Sequence, residues 1–205
     1  MKSEKDTYRT IKNPSEEVFY KDRKSKFYGY AFPITTEEEV KPLIEALRKQ
    51  HHTAGHVCYA WQLGVDTVTY RANDDGEPNN SAGMPIYGQI KAFELTNVLV
   101  AVPRIYGGTK LGVGGLIQAY KNTAQLALEK ADIIQKVIES YYQINFEYEE
   151  MDKVMRIIKQ YDLKLRLQEM NLKCVFQISC RKSIEQQVFD TFNQIHTVSI
   201  KKLDY

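Results

Sequence analysis

The chain has 205 residues, 28 Lys and Arg against 26 Asp and Glu, a formal net charge of +2 and 43% hydrophobic residues. A chain of this length buries about 70% of its unfolded surface on folding, which excludes global disorder and allows one or two domains. So small a charge excess excludes a polyanion-binding signature spread over the whole molecule, and any anion site must be local.

The first residues, Met1 to Arg9, alternate charges and lack the apolar core of a secretory signal, and the most hydrophobic run, Val98 to Val102, is far too short to span a bilayer. Cys58, Cys174 and Cys180 are odd in number and widely spaced, so no disulfide framework is indicated. These features predict a cytoplasmic protein without a membrane segment.

In chain order, residues 24–34 are aromatic-rich and read as a strand. Thr36 and Glu39 then form a capping box opening a helix to about Gln50. His56 to Leu63 and Asp66 to Arg71 are β-prone runs joined across Gly64-Val65 as a hairpin. Asn73 to Pro85 is crowded with turn formers and reads as a long loop, followed by a short helix over 86–95. Asn97 to Val102 is a continuous apolar run, as expected of a strand covered on both faces. Gly107, Gly108, Gly112, Gly114 and Gly115 follow, and from Leu116 to Asp132 Ile117, Tyr120, Ala124, Ala127 or Leu128, and Ala131 recur at helical spacing.

Beyond Ile134 neither proline nor glycine occurs again. The pattern there is strand 136–148, helix 150–160, strand 162–169, strand 172–180, helix 182–194 and strand 196–203. That β-α-β-β-α-β order is the ferredoxin-like arrangement. Met151, Val154, Met155 and Ile158 form one apolar stripe, and Ile184, Val188, Phe189 and Phe192 the other. The expectation is an α+β protein of two domains, residues 1–134 and 135–205.

Glycines let a backbone approach a ligand closely, and a helix that follows them offers unpaired amides to an anion. The segment comprising Gly107, Gly108, Thr109, Lys110, Gly112, Gly114 and Gly115 is therefore a candidate phosphate site, with Arg104, Lys110 and Lys121 supplying positive charge. It matches neither Walker P-loop nor dinucleotide fingerprint, and tight strand-to-helix packing explains the same glycines. The reading requires the main-chain amides to face outward. Asp74, Asp75 and Glu77 could chelate a divalent cation, but Asp-Asp-Gly-Glu-Pro is ideal turn chemistry and no companion ligand set is evident, so the turn is the stronger reading. No metal or cofactor is assigned. His56 and Cys58 share a strand face, the geometry of a thiol-imidazole pair or simply of packing. Lys21 to Tyr30 interleaves cations with aromatic rings, which suits RNA backbone and unpaired bases or a solvated strand edge.

Two stretches carry a resemblance: Asp74-Asp-Gly-Glu-Pro-x-x-Ser-Ala-Gly-x-Pro-Ile86, and Asn97-Val-Leu-Val-Ala-Val-x-Arg-x-Tyr-Gly-Gly-Thr-Lys-Leu-Gly-x-Gly-Gly-Leu-x-x-Ala-Tyr120. They closely resemble the YigZ/IMPACT family, across most of residues 16–130, in its bacterial two-domain form; His56-x-Cys58-x-Ala60 fits as well. The resemblance implies an N-terminal ribosomal-protein-type βαβ domain similar to domain IV of elongation factor G, and a C-terminal ferredoxin-like domain similar to its domain V. Domains of the first kind touch RNA. Eukaryotic relatives regulate translation, with a further RWD domain that this sequence does not show.

The function this implies is a non-enzymatic protein associated with structured RNA or the ribosome, with partners in translation control. The rival is a metal-dependent hydrolase or phosphotransferase with a cleft between the Asp74–Pro85 and Gly107–Gly115 loops, lined by His56, Cys58, Asp74, Asp75 and Glu77. Where the family usually has Thr and Tyr, Pro103 and Ile105 flank Arg104. Pro103 is expected to end or bulge the strand and displace Arg104.

Overall fold

The computed structural model describes residues 6–171 and 173–203. The expected charge alternation over residues 1–5 and the expected strand start at 172 lie outside them. Two compact units divide the chain between Lys136 and Val137, with Asp6 and Thr7 grouped with the C-terminal one. No helix among the described residues is long and apolar enough to cross a membrane.

In the larger unit, strands β1 (Thr7–Ile11), β2 (Val18–Asp22) and β3 (Ser25–Pro33) precede helix α1 (Val40–Gln50). The predicted capping box is present: the Thr36 side chain accepts from the Glu39 amide, and Glu39 reaches back to the Thr36 amide. It opens a 3-10 turn that runs into α1. Strands β4 (His56–Leu63) and β5 (Thr69–Asn73) follow, then helix α2 (Gly83–Ala92), strand β6 (Val98–Ile105), helix α3 (Gly112–Lys130) and strand β7 (Ile133–Val137), which pairs with β1.

The main sheet runs β2-β3-β6-β4-β5. Because β3 and β4 are both antiparallel to β6, they are parallel to each other, and α1 joins them as a βαβ unit split by β6. Helices α2 and α3 cover one face. Their Ile86, Ile90, Tyr120 and Leu128 pack against Val98, Val100 and Val102. Helix α1 covers the other, with Ile44 and Leu47 against Leu99, Ala101 and Trp61. Alternate residues of β6 thus serve two cores, which is why the run is continuously apolar. On α3 the packed face is Leu116, Ala119, Tyr120 and Ala124; Ile117, expected there, is exposed.

Pro103 does not end β6. It pairs with Val57 of β4, whose amide turns away to the Asp75 carboxylate. The vacant nitrogen of Pro103 therefore points towards β3, where the ladder passes from Phe27↔Arg104 to Tyr30↔Ala101 without bridging Tyr28 or Gly29. A proline is tolerated in a central strand because the missing donor falls in that gap.

The smaller unit contains β8 (Glu139–Glu147), α4 (Met151–Gln160), β9 (Lys164–Met170), β10 (Lys173–Arg181), α5 (Glu185–Asn193) and β11 (Val198–Leu203). Its sheet order is β11-β8-β10-β9, antiparallel throughout, which is the ferredoxin-like arrangement. Val154, Ile157 and Ile158 of α4 and Val188 and Phe192 of α5 fill the core. Met155, expected in the α4 stripe, is exposed instead.

Candidate nucleic-acid interface

The carboxylates of the 74–85 loop are all engaged within the protein. Asp74 Oδ1 accepts the amides of Ala82 and Gly83 at 2.9 and 2.8 Å, and Oδ2 that of Asn80 at 2.8 Å. The orphan donors at the start of α2 are thereby satisfied, and the helix begins at Gly83, within the segment predicted to be loop. Asp75 accepts from the Val57 amide and from Arg48 Nη2, both at 2.6 Å. Its carbonyl lies 2.7 Å from His56 Nδ1; a carbonyl only accepts, so that nitrogen carries the hydrogen. Among the described residues no group of three or more His, Cys, Asp or Glu side chains could hold a metal ion.

Cys58 is buried at the base of this loop, its Sγ 3.0 Å from the Asp74 carbonyl oxygen and 3.3 Å from the Tyr120 hydroxyl. Burial pushes the thiol pKa far up, and the nearby Glu77, Asp75 and Asp74 add to it. Such a thiol is a packing group, not a nucleophile. His56, Cys58, Asp74 and Asp75 do converge, as the rival reading requires, but each is spent on structural bonds: the Asp74 carboxylate caps α2, and His56, Cys58 and Asp75 tie the loop to β4.

Arg104 is also internal. Its Nη1 donates to Glu77 Oε1 at 2.6 Å, with side-chain exposures of 8% and 4%. Tyr120 donates to the same oxygen at 2.8 Å. The guanidinium carbon lies 5.5 Å from the Phe27 ring centroid and 5.6 Å from that of Tyr106. The expectation that Arg104 grips phosphate is therefore corrected: its charge is neutralised within the unit, and it works as a strut beneath the surface.

The glycine segment itself is at the surface. Gly108, Thr109, Lys110, Gly112 and Gly114 are exposed and Gly115 half-buried. A Cβ on Gly108, Gly112 or Gly114 would meet nothing within 4 Å. Gly108 and Gly112 have φ of +84° and +72°, which glycine adopts without strain. Helix α3 starts at Gly112, four residues earlier than predicted, so its first turn belongs to this segment. Lys121 is exposed farther along the helix.

Gly107 does something different. Its amide donates to Ser25 Oγ at 3.2 Å, and a Cβ there would collide with the Lys24 carbonyl group. The close approach locks the loop to the β2–β3 turn, bringing Arg23 and Lys24 beside it; Lys26 follows in β3. These cations, with Lys21, are exposed, and among the described residues none of them, nor Lys110, has an ion-pair partner. Sequence reasoning weighed residues 21–30 and the glycine segment separately. It missed Arg23 and Lys24 as members of the same surface as the glycine segment, and it did not single out Tyr106, half exposed at 52%.

Comparison with known proteins agrees with this architecture. Residues 23–128 match the Impact N-terminal domain. The chain is 30% identical over 160 residues to the IMPACT family member YvyE of Bacillus subtilis, covering 78% of this chain and 73% of that one. It is 31% identical over 145 residues to YigZ of Escherichia coli, covering 70% and 71%. The chain belongs to the IMPACT family. A crystal structure of a hypothetical protein shares the fold across 97% of this chain and 98% of its own, with a TM-score of 0.69 at 22% identity.

Proposed function

We propose that the larger unit binds the phosphate backbone of structured RNA, free or within the ribosome, and that the protein serves translation control in the cytoplasm rather than performing chemistry. One observation carries the reading: the Gly107 contact with Lys24 and Ser25 sets the two unpaired cations of a hairpin turn, Arg23 and Lys24, beside an exposed glycine loop and Lys110. Exposed lysines and arginines attract phosphate without reading sequence, while loop amides and the start of α3 add directional donors. The translational role that the family resemblance implies for eukaryotic relatives is in keeping with that cellular setting.

The test is a charge reversal, Arg23→Glu with Lys24→Glu and Lys110→Glu. Binding of a structured RNA should weaken, and the slope of log K against log salt should flatten by about 0.7 to 0.9 for each phosphate that the protein no longer neutralises. Cosedimentation with ribosomes, with and without ribonuclease, reads the same surface in its setting. Unchanged affinity and unchanged salt slope would remove the proposal.

A further inference from the structure

Tyr106 is the first residue beyond β6. Its neighbours in sequence are fixed on both sides: Ile105 pairs with Lys26 of β3, and the Gly107 amide is bonded to Ser25 Oγ. Arg104 lies over the tyrosine ring, 5.6 Å from its centroid. The guanidinium cannot swing away, because Glu77 holds Nη1 at 2.6 Å and Phe27 lies on it at 5.5 Å. Yet Tyr106 remains 52% exposed. One side of the ring rests on a fixed internal cation and the rest faces solvent, among the unpaired cations of the β2–β3 turn.

We infer that Tyr106 is a stacking platform for an unpaired base, so that this surface takes single-stranded nucleotides of RNA rather than a continuous duplex. The inference rests on the phosphate-binding reading and specifies its ligand. Its physical basis is preorganisation. A free surface tyrosine must lose rotamer freedom when a base stacks on it, whereas this ring is already held by cation-π contact with a residue that is itself ion-paired. Base faces stack without regard to sequence, so the platform adds affinity for unpaired nucleotides while the cations hold the backbone. In a duplex the base faces are covered by their neighbours, and only the charge contribution remains.

The experiment compares a labelled single-stranded oligoadenylate with a fully paired RNA duplex of equal length, using fluorescence anisotropy and the full chain. Tyr106→Leu keeps an apolar side chain over Arg104 but cannot stack. It should weaken single-strand binding about ten-fold, the size of one lost base stack, and leave duplex binding and the single-strand salt slope unchanged. Tyr106→Trp should restore single-strand affinity. Its indole emission should be quenched by the oligonucleotide, against the constant signal of Trp61, the only native tryptophan and 4% exposed. Thermal melting of each variant checks that the fold is intact. If Tyr106→Leu binds the single strand as tightly as the parent while the charge reversal weakens it, the platform is refuted and the phosphate surface stands. If neither variant weakens binding, the phosphate reading itself has failed. Equal loss on duplex and single strand would show Tyr106 acting only through the shape of the loop, and would also overturn the platform.

Discussion

Arg104 Nη1 and Glu77 Oε1 meet at 2.6 Å inside the larger unit, two charges from segments 27 residues apart in sequence. Burying either alone is expensive, and the pair is tolerated because each neutralises the other while Tyr120 donates a further hydrogen bond to the carboxylate. Glu77→Leu should leave an uncompensated guanidinium and cost about 3 to 5 kcal/mol, read as a fall in urea midpoint. Pairing it with Arg104→Met should recover much of that loss. A Glu77→Leu variant as stable as the parent would show that the charge is not buried in solution.

Asp74 gathers the amides of Asn80, Ala82 and Gly83 on one carboxylate. Asp74→Ala removes three accepted hydrogen bonds at once and should cost about 3 kcal/mol, since hydrogen bonds to charged groups are among the stronger ones. Because those oxygens are already engaged, millimolar Mg²⁺ or Mn²⁺ should not raise the melting temperature of the parent protein. A metal-dependent rise would reopen the hydrolase alternative.

These acidic residues also mark where sequence reasoning succeeds and stops. The Thr36–Glu39 capping box was legible because its partners are three residues apart, and the ferredoxin-like unit because each of its elements declares its own periodicity. The partners of Asp75 are Val57 and Arg48, and those of Glu77 are Arg104 and Tyr120. No spacing rule encodes such pairings, so the sequence showed turn chemistry and a possible metal site but none of the partners these carboxylates hold. Pro103 misled for a related reason. Whether a proline interrupts a strand depends on which neighbour its missing N–H would have faced, and that is settled only once β3 and β4 are placed. The convergence of Lys24 with Gly107 is likewise a product of the β3–β6 register.

His51 lies at the end of α1, its Nε2 2.5 Å from the Tyr30 hydroxyl, which also hydrogen-bonds Glu17; the Tyr28 ring packs 4.5 Å away. Burial lowers the His51 pKa below its usual 6.5, and the Glu17 charge opposes this only in part. The unfolded chain therefore binds this proton at a higher pH than the folded one. The stabilisation is complete above pH 6.5 and is lost as pH falls through the lower folded value. Stability should decline on acidification from pH 6.5, and His51→Gln should flatten that part of the profile in denaturation measured pH by pH. An equally steep decline in the variant would place its origin elsewhere.

Cys58 offers a direct probe of the packing beneath the 74–85 loop. With its thiol buried and its pKa raised by burial, alkylation at pH 8 should proceed only when the unit opens, and so at a rate set by the opening equilibrium. Mass spectrometry after iodoacetamide treatment should find Cys58 unmodified in the native protein and modified in urea. Asp74→Ala should speed the reaction by loosening the loop. Rapid native labelling would contradict the packed site.

The β2–β3 turn carries a backbone cost. Asp22 and Ser25 close a two-residue hairpin whose central residues, Arg23 and Lys24, have φ of +42° and +69°. Two positive φ values are the signature of a type I′ turn, which Asn-Gly adopts readily and long side chains do not. Left-handed backbone costs an ordinary residue about 1 to 2 kcal/mol, and strain of this kind persists where function selects the side chain. Replacing the pair with Arg23→Asn and Lys24→Gly should therefore stabilise the unit by about 1 kcal/mol, the added glycine flexibility of the unfolded chain offsetting part of the gain. The same substitutions remove two cations from the proposed RNA surface, so affinity should fall and the salt slope flatten even as the melting temperature rises. Opposite movement of stability and binding is the expected result. A variant that is more stable and binds RNA as before would mean that Arg23 and Lys24 are retained for some other reason.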